Sequence, residues 1–490
     1  MKLSRGIFAV SALTLLAAAA NAQFYRIIDL SPGSPYSSTL AYGISNNGQI
    51  TGTGMDPITG ELKAFLYANG VYQDLGDFGY PYGADGDRIN NAGQIAATGY
   101  GPGYNALICS NGKAKPLGSI DGGFTVGLCI NSKGDIVGRG VNGDGNGQGF
   151  SYIGGQFSAM SVDIARGIND SDQIVGSLGY YWYYGGYGHS VEHAFVDTGG
   201  AITDIGNIGG GLRTNTEAYS INNLGQVTGY STAADGTMHA FLYSGGVMSD
   251  LGTFAPYYTR GLSINNSGQI LGTIETYVGG PVGLFVYTNG TMYNFDDLLD
   301  SSGAGWSGWN ASQINDSGYI VGYATINGNT DPFLAQPFFV DLPASYSIYR
   351  GVYSSGDLAS LLAIDGDYLT VMKGPTLNLS DSPISVIVSG TASVSNPADV
   401  RLSLTAHVNT PGLTQKVELW DYTASTWVTV GSQPATTLDS TEVAIGSNPA
   451  RFVQSGTNAI QARVSWKQTG PTLLFRWAAS IDQVVWNVSP

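Results

Sequence analysis

Short apolar runs and turn-forming residues alternate along the first two thirds of the chain in a recurring order. In the copy at residues 217–252, the segment EAYSIN leads through an Asn/Gly turn to GQVTGYS, then to the apolar run HAFLY, the turn SGG and the segment VMSDLG. Short runs rich in Val, Ile, Tyr and Phe, separated by Gly and Asn, are typical of β-strands joined by tight turns. Each copy therefore predicts four consecutive strands.

The copies recur at a spacing that favours a propeller. The Ile that opens the shared phrase is found at Ile44, Ile89, Ile130, Ile168, Ile221, Ile264 and Ile314. Repeats of roughly 40–50 residues are in the range of propeller blades. Runs such as HAFLY are apolar at successive positions, which fits strands covered on both faces. The predicted fold class is all-β, with a seven-bladed β-propeller in residues 23–342 followed by an antiparallel β-sandwich in residues 343–490.

The two ends of the repeat array complement each other. The seventh copy has no fourth strand, whereas the segment FYRIIDLS at residues 24–31 is a strand without a copy of its own. We expect residues 24–31 to pair with the copy that contains Ile314 and to close the ring, which leaves only short sheet edges.

The repeat resembles the HAF repeats of probable extracellular bacterial proteins. The resemblance rests on EHAFVDTGGAITDIG from Glu192 and MHAFLYSGGVMSDLG from Met238, each downstream of an IN…GQ phrase, and it covers residues 24–342. It implies an exported repeat protein and no settled activity. Copies three and four depart from the pattern, because Asp135 stands in place of Gln and Asp172 in place of Gly.

The phrase itself is predicted to build the frame. Its Asn and Gly residues favour turns with positive φ. The glycine that follows in the second strand, as at Gly229 and Gly272, is expected to let neighbouring blades approach each other.

Composition and the N-terminus limit the partners. Residues 1–22 have a positive start, an apolar run and a small-x-small ending at Ala22, which is typical of a secretory signal peptide. The protein is therefore predicted to be secreted and extracellular, released or surface-associated, with no later membrane span. A net charge of −16 disfavours nucleic acid. No cofactor is predicted, and the sequence does not indicate an oligomeric state.

Aromatic residues concentrate in the long, variable loops, which lie on one face of a propeller. Exposed Tyr and Trp rings suit stacking on sugars, so we expect a non-catalytic protein that binds extracellular polysaccharide or a cell-surface component. The alternative is that the loop aromatics pack on one another. The predicted ligand-binding residues are Tyr80, Tyr82, Tyr181, Trp182, Tyr183, Tyr257, Tyr258, Trp306 and Trp309.

Two other functions stay open. A polysaccharide hydrolase or lyase would need a carboxylate pair, and the variable loops are expected to supply candidates, although G-x-S-x-G, HExxH and CxxC motifs are absent. A purely structural surface or matrix protein is the third possibility. The candidate carboxylates are Asp85, Asp87, Asp121, Glu217, Asp297 and Asp300.

The remaining candidates favour structural roles. His193 and His239 occupy equivalent repeat positions and are not expected to bind a metal. The segment NGDGNGQG at residues 142–149 has the Asp/Asn spacing of a calcium loop but lacks its closing Glu, so a turn is the favoured interpretation, and calcium near Asp144 stays open. Cys109 and Cys129 are predicted to be unbonded, because they fall in strands about two strand spacings apart.

Five of the eight Trp residues lie in the C-terminal part and are mostly expected to be core. Trp427, beside a predicted hairpin turn at residues 423–426, is the exception, as a candidate sugar platform. The ending SIDQVVWNV is similar to the last strand of galactose-binding-like jelly rolls.

Overall fold

The computed structural model describes residues 23–490 except 185–186, 212–213, 278, 377, 379 and 470–475, and it describes only the backbone of 180–184 and 187–190. In these residues the chain is all-β, with 38 strands and four short 3₁₀ turns. They divide into the repeat unit, residues 26–336, and the C-terminal unit, residues 337–490 with the residues up to Tyr25. No helix in the described part is long and apolar enough to cross a membrane.

The strands of the repeat unit follow the repeats of the sequence. The chain begins with β1 (Gln23–Asp29) and continues through seven repeats. Repeats 1 to 3 comprise β2 (Ser38–Ile44), β3 (Ile50–Met55), β4 (Leu62–Ala68) and β5 (Val71–Gly76); β6 (Ala84–Ile89), β7 (Ile95–Tyr100), β8 (Tyr104–Ser110) and β9 (Lys113–Pro116); and β10 (Thr125–Ile130), β11 (Ile136–Val141), β12 (Gly147–Ile153) and β13 (Gln156–Ala159).

Repeats 4 to 6 follow the same order, and repeat 7 has three consecutive strands. These repeats comprise β14 (Ile164–Ile168), β15 (Gln173–Tyr184), β16 (Tyr187–Thr198) and β17 (Ala201–Asp204); β18 (Thr216–Ile221), β19 (Val227–Thr232), β20 (Met238–Ser244) and β21 (Val247–Asp250); β22 (Tyr258–Ile264), β23 (Ile270–Glu275), β24 (Pro281–Thr288) and β25 (Thr291–Asn294); and β26 (Ser307–Ile314), β27 (Ile320–Ile326) and β28 (Asn329–Asp341).

The strands of each of the first six repeats form one four-stranded antiparallel sheet in chain order. This arrangement confirms the four-strand reading of the repeat. In repeat 7 the fourth partner is β1, which pairs with β28. The Leu30 amide also donates to the Pro332 carbonyl at 3.0 Å. The predicted pairing of the N-terminal strand with the last repeat is therefore confirmed.

The first Asn of the repeated phrase holds its own turn. The Asn222 Oδ1 accepts hydrogen bonds from the amides of Leu224 and Gln226, and its Nδ2 donates to Gln226 Oε1 at 2.8 Å. Gly225 supplies the positive φ of this turn, at 73°. The turn prediction thus holds for the glycine, whereas the asparagine acts through its side-chain hydrogen bonds.

The same asparagine also joins one repeat to the next. Asn222 Nδ2 donates to the Asn265 carbonyl of the next repeat at 2.9 Å. The corresponding asparagine of every repeat except the first makes the same bond. The six bonds run from Asn90 to Asn131, Asn131 to Asn169, Asn169 to Asn222, Asn222 to Asn265, Asn265 to Asn315 and Asn315 to Ser45. The last of these returns from repeat 7 to repeat 1.

A second series of bonds uses the next position of the phrase. There the backbone amide of one repeat donates to the side-chain Oδ1 of its neighbour. These bonds join Asn46 to Asn91, Ser132 to Asp170, Asp170 to Asn223, Asn223 to Asn266, Asn266 to Asp316 and Asp316 to Asn46. The first series lacks an amide side chain at Ser45, and there the second series bridges repeats 1 and 2. We call the two series together the asparagine ring.

All seven phrases line one cavity of about 290 Å³. The first strands of the repeats, which end at the phrase, therefore surround a common axis. In repeats 3 and 4, which have Asp135 and Asp172 in the phrase, the structure compensates for the substitution. Asp135 accepts from Asn131 Nδ2 at 3.2 Å, as the usual Gln does, and Asp172 adopts the left-handed φ of 58° that Gly has elsewhere.

The glycine of the second strand is required inside its own sheet. A Cβ on Gly229 would lie 1.9 Å from the Glu217 carbonyl oxygen, because β18 has a register shift between Ala218 and Ser220 that brings its backbone against β19. At Gly272 the clashing atoms are the Phe285 ring and a carbonyl oxygen of the same sheet. Both glycines are therefore required inside their own sheets. At Gly229 the next repeat also comes close, because a Cβ on Gly261 would lie 3.3 Å from the Gly229 nitrogen, which agrees with the expectation that neighbouring blades approach here.

The C-terminal unit contains two antiparallel groups of strands. One sheet has the order β29-β32-β37-β34-β35. In the other group β38 pairs with β31, with β33 and with the last residues of β28, which belong to the C-terminal unit. The strands are β29 (Pro343–Arg350), β30 (Val352–Ser355), β31 (Leu369–Met372), β32 (Ile384–Thr391), β33 (Asp399–Val408), β34 (Leu413–Asp421), β35 (Thr426–Pro434), β36 (Ser440–Ile445), β37 (Ala459–Gln468) and β38 (Ala478–Ser489).

A shared core holds these strands together. Trp466, Trp477 and Trp486 are fully buried in it, as predicted for most of the C-terminal tryptophans. The hairpin at residues 423–426 is also confirmed, since β34 and β35 pair with Trp420 opposite Trp427.

Candidate functional site

The first strands carry different residues at equivalent positions in each repeat. Each first strand has a β-bulge at the same place, and the strand registers make the position before it equivalent in all seven repeats. It holds Leu40, Asp85, Val126, Ile164, Glu217, Arg260 and Asn310. This end of the strands therefore has no repeat symmetry in its chemistry, in contrast to the asparagine ring at the other end.

A cavity of about 380 Å³ opens at this end of the strands. Its wall combines apolar, cationic and acidic side chains from repeats 2 to 5. The lining residues used below are Tyr104, Phe124, Arg139, Asp163, Arg166, Ser177, Glu192 and Glu217. We call it the axial cavity.

One wall of the axial cavity is aromatic. Tyr104 and Phe124 are 47% and 46% exposed, and their ring centroids are 5.6 Å apart at 45°. A Cβ on Gly103 would lie 2.8 Å from the Phe124 ring, so the glycine lets this ring rest against the backbone. The two rings form an exposed apolar ledge, which we call the aromatic ledge.

Glu217 is an acid of the cavity lining that several contacts hold in place. Its carboxylate pairs with Arg166 at 3.0 Å and accepts a hydrogen bond from the Tyr230 hydroxyl at 2.8 Å. Burial opposes ionisation of Glu217, but Arg166 and these hydrogen bonds outweigh it, so its pKa is held below the usual value. The Arg166 guanidinium lies 4.4 Å from the Tyr219 ring centroid, which fixes it further.

Glu192 lies beside Glu217 under different conditions. Burial, followed by the hydrogen bond with Glu217, raises the pKa of Glu192 to about 7. Its backbone amide is held by Asn215 Oδ1 at 3.1 Å. Two neighbouring carboxyl groups thus have pKa values pushed in opposite directions.

A second acidic pair lies near the axis in repeat 2, and neither of its members lines the axial cavity. Asp85 accepts from the hydroxyls of Tyr100 and Thr53, and Asp87 accepts from Thr98 Oγ1 at 2.9 Å. Burial, and then the charge of Asp85, raise the pKa of Asp87 to about 7. Arg88 donates to the carbonyls of repeats 1 and 7 and fills the space between them.

The predicted aromatic residues differ in how far they are buried. Trp309 is only 4% exposed, since it packs against Phe295 and Phe333 and donates through Nε1 to Asp296 at 2.8 Å. The expectation of an exposed Trp309 is therefore wrong. Trp306 stacks on Trp309 with the ring centroids 6.0 Å apart and is half-buried.

The tyrosines are also dispersed. Tyr80 packs over Gly99, and Tyr257 packs against the repeat 6 core, so both help to hold their loops. Tyr82 is 64% exposed, and Tyr258 contacts the exposed Tyr277. The side chains of Tyr181, Trp182 and Tyr183 lie outside the described residues. None of the six predicted residues with described side chains lines the axial cavity.

Of the predicted carboxylates, Asp85, Asp87 and Glu217 lie on first strands, not in loops. Asp300 caps a 3₁₀ turn and pairs with Arg26 at 3.1 Å, while Asp121 and Asp297 are exposed. The sequence reasoning missed Tyr104, Phe124 and Glu192. Phe124 lies in the same kind of variable loop as the predicted tyrosines, and Tyr104 begins β8 directly after such a loop, so position at a variable loop was the available signal.

The two histidines and the segment 142–149 make contacts that fit structural roles. His193 Nδ1 is 2.7 Å from Asp204 and His239 Nδ1 is 2.9 Å from Asp250, each across two strands of one sheet. Asn142 Oδ1 accepts from the amides of Asp144 and Asn146, which forms a turn. In the described part no group of three or more His, Cys, Asp or Glu side chains is placed to hold a metal ion.

The cysteines and Trp427 also have defined places. Cys109 in β8 and Cys129 in β10 are unbonded, and the strand assignment behind that prediction is confirmed. In the C-terminal unit Trp427 meets Trp420 at 5.2 Å and is covered on one side by the Arg463 guanidinium at 4.7 Å. Trp427 is half-buried, so only part of its surface is free.

Comparison with known proteins yields structural likeness alone. No protein-family model and no curated protein match the chain. The β-propeller domain of the Trilobed protease from Pyrococcus furiosus matches 64% of this chain and 95% of its own at 10% identity, with a TM-score of 0.41. An Aleuria aurantia lectin mutant in complex with Fucα1-6GlcNAc matches 62% and 91% at 15% identity and 0.27. TmCBM61 in complex with β-1,4-galactotriose matches 30% and 89% at 14% identity and 0.19.

Proposed function

We propose that the protein is a secreted, non-catalytic glycan-binding protein that holds its ligand in the axial cavity. In this proposal the repeat unit is a seven-bladed β-propeller of the HAF-repeat kind, and the C-terminal unit is a β-sandwich. The observation that carries the proposal is the axial cavity itself, whose wall combines the exposed aromatic ledge with guanidinium and carboxyl groups.

Such a wall suits a sugar for two reasons. The apolar faces of a pyranose ring stack on aromatic side chains, and the rings of Tyr104 and Phe124 are exposed for this contact. Sugar hydroxyls need fixed donors and acceptors, which Arg166, Glu192 and Glu217 supply. Because the Arg166 guanidinium is held by Glu217 and Tyr219, little conformational entropy is lost when a ligand binds.

We interpret the acids of the cavity as a binding pair. Glycoside hydrolases keep their two carboxyl groups apart, so that a sugar or a water fits between them. Glu192 and Glu217 instead interact with each other, which contributes to the raised pKa of Glu192. A hydrolase or lyase and a purely structural protein are the alternatives.

The test is a glycan array probed with the mature chain, followed by calorimetric titration of each ligand found. We expect Tyr104→Ala and Phe124→Ala each to weaken binding by about 1–3 kcal/mol, as for binding anchors. The matched control is Tyr349→Ala, an exposed tyrosine of the C-terminal unit, which should bind like wild type.

A reducing-sugar assay on the same ligands separates the alternatives. Release of reducing ends supports the hydrolase, and unsaturated products support the lyase. Full affinity in both ledge variants, or no glycan bound at all, contradicts the proposal.

A further inference from the structure

Arg139 differs from the other arginines of the repeat unit. It lies in β11, its side chain is exposed, and among the described residues it makes no hydrogen bond, ion pair or ring contact. The other arginines of this unit with described side chains are held by protein groups. Those groups are Asp300 for Arg26, carbonyl oxygens for Arg88, Glu217 for Arg166 and Glu275 for Arg260. The Arg139 guanidinium lines the axial cavity and is therefore available to a ligand.

The place of Arg139 in its repeat also sets it apart. The strand registers make it equivalent to a residue with a hydroxyl group in each of the other six repeats. Thr98 Oγ1, for example, donates to Asp87 at 2.9 Å. The Tyr230 hydroxyl donates to Glu217 at 2.8 Å. Repeat 3 thus has a cation where other repeats have hydroxyl groups that bond to acids of the first strands. The equivalent residues are Thr53, Thr98, Ser177, Tyr230, Thr273 and Tyr323.

Strand pairing puts Arg139 next to the aromatic ledge. Arg139 is directly opposite Val126 in the pairing of β10 with β11. The Val141 amide continues this ladder and donates to the Phe124 carbonyl at 2.9 Å. Residues two apart on paired strands project from the same face, and all four side chains line the axial cavity. Diagonal neighbours on such a face are roughly 7–8 Å apart, so a substituent of a sugar stacked on Phe124 comes within reach of the Arg139 guanidinium.

The charges around Arg139 favour an anionic group on the sugar. A guanidinium matches an oxyanion such as a carboxylate with two parallel hydrogen bonds. Of the acids in the lining, Glu217 is paired with Arg166 at 3.0 Å. Burial raises the pKa values of Asp163 and Glu192, so these two ionise less readily than surface acids. The net charge of −16 is screened beyond about 8 Å at physiological salt, so the local pairing decides.

We propose that the axial cavity selects anionic over neutral sugars and that Arg139 binds the charged substituent, a carboxylate or a sulfate ester, of a sugar stacked on the aromatic ledge. This inference rests on the proposed glycan binding. It makes Arg139 a specificity-determining residue: the ledge holds the sugar ring, and Arg139 decides which substituent is accepted.

The experiment compares three forms of one oligosaccharide, neutral, uronic-acid and sulfated, by calorimetric titration of the mature chain at neutral pH. At least one anionic form should bind about five- to tenfold tighter than the neutral form, which is the gain from a partly exposed charge pair. This preference should shrink as the salt concentration rises, because the pairing is electrostatic. The form that gains affinity identifies the charged group.

Arg139→Gln tests the residue itself. It should lower the affinity for the anionic form to that for the neutral form, whose binding should stay as in wild type because the ledge is intact. Arg139 is exposed, so the thermal melt of the variant should match that of wild type. The matched control is Lys113→Gln, which removes one positive charge from the exposed start of β9, outside the lining of the axial cavity, and should keep the preference.

Three results overturn the inference alone. They are equal or tighter binding of the neutral form, an unchanged preference in Arg139→Gln, and an equal loss of preference in Lys113→Gln, which would make the preference a long-range effect of net charge. Failure to bind any glycan, or full affinity in both ledge variants, overturns the proposed function, and the ligand class with it.

Discussion

The two ends of the same seven first strands are built on opposite principles. At one end every repeat contributes nearly the same residues and the same hydrogen bonds, which form the asparagine ring. At the other end the equivalent position holds an aliphatic, acidic, cationic or amide side chain according to the repeat. Repetition in this chain therefore builds the frame, and the chemistry lies where the repeats diverge.

The difference has an energetic basis. In the asparagine ring each buried amide satisfies backbone groups of its own turn and of the next repeat, so burial of polar atoms costs little. At the axial cavity, Glu192 lies beside a second carboxyl group, and burial, followed by the hydrogen bond with Glu217, raises its pKa. Ionisable groups with strongly shifted pKa values are found most often at binding and catalytic sites.

The largest expected effect is at the ring. Asn222→Ala removes four hydrogen bonds and leaves buried backbone groups without partners, so the free energy of unfolding should fall by about 2–4 kcal/mol. The matched control is the exposed Asn223→Ala, which should cost about 1 kcal/mol or less. Urea denaturation measures both. Equal losses would mean that the ring is not organised around the buried asparagine.

The next effect concerns Glu192 and depends on pH. Its pKa is raised from 4.5 to about 7 in the folded chain, so the folded state binds the extra proton and stability declines as the pH rises through this window. Allowing for partial exposure, Glu192→Gln should be more stable than wild type by about 1–2 kcal/mol at pH 8 and by almost nothing at pH 4. Thermal melts at the two pH values check this. A gain of equal size at both would show that ionisation is not its cause.

A smaller gain in stability is expected from a substitution that completes the asparagine ring. Ser45 occupies the position of the ring asparagine in repeat 1, with Gln49 four residues later as in most other repeats. Ser45→Asn should donate to the Asn90 carbonyl and raise the free energy of unfolding by about 1 kcal/mol. The control, Ser45→Ala, loses the bond from the Gln49 amide and should be destabilised. Destabilisation by both would show that this position cannot accept the ring geometry.

The smallest effect is expected at the ledge. Phe124 is half-exposed, so Phe124→Ala should change the free energy of unfolding by no more than about 0.5 kcal/mol while it weakens ligand binding. Denaturation and titration of the same sample give both quantities. A large loss of stability would show that Phe124 supports the fold, and the contrast between a stabilising end and a binding end would then fail.

Much of the frame could be predicted from the sequence because strands and turns are local. Gly225 marks a turn, HAFLY marks a strand covered on both faces, and the missing fourth strand of repeat 7 identified β1 as its partner. The need for Gly229 inside its own sheet was missed because the β-bulge beside Ala218 depends on strand register, which has no sequence signature here.

The site was less predictable. Glu192 and Glu217 lie in different repeats, and their contact depends on how two sheets pack. Trp309 looked like an exposed loop residue, but the fold turns it inward against Phe333. Burial of a single ring in a loop is set by tertiary packing, which composition and periodicity do not encode.

The most direct test of the central claim is a crystal structure of the mature chain with an oligosaccharide identified on the array. The account predicts a sugar ring on Tyr104 and Phe124 with a hydroxyl within hydrogen-bond distance of Glu192. A ligand bound at the asparagine ring, or only at Trp427 of the C-terminal unit, would contradict the claim that binding belongs where the repeats diverge.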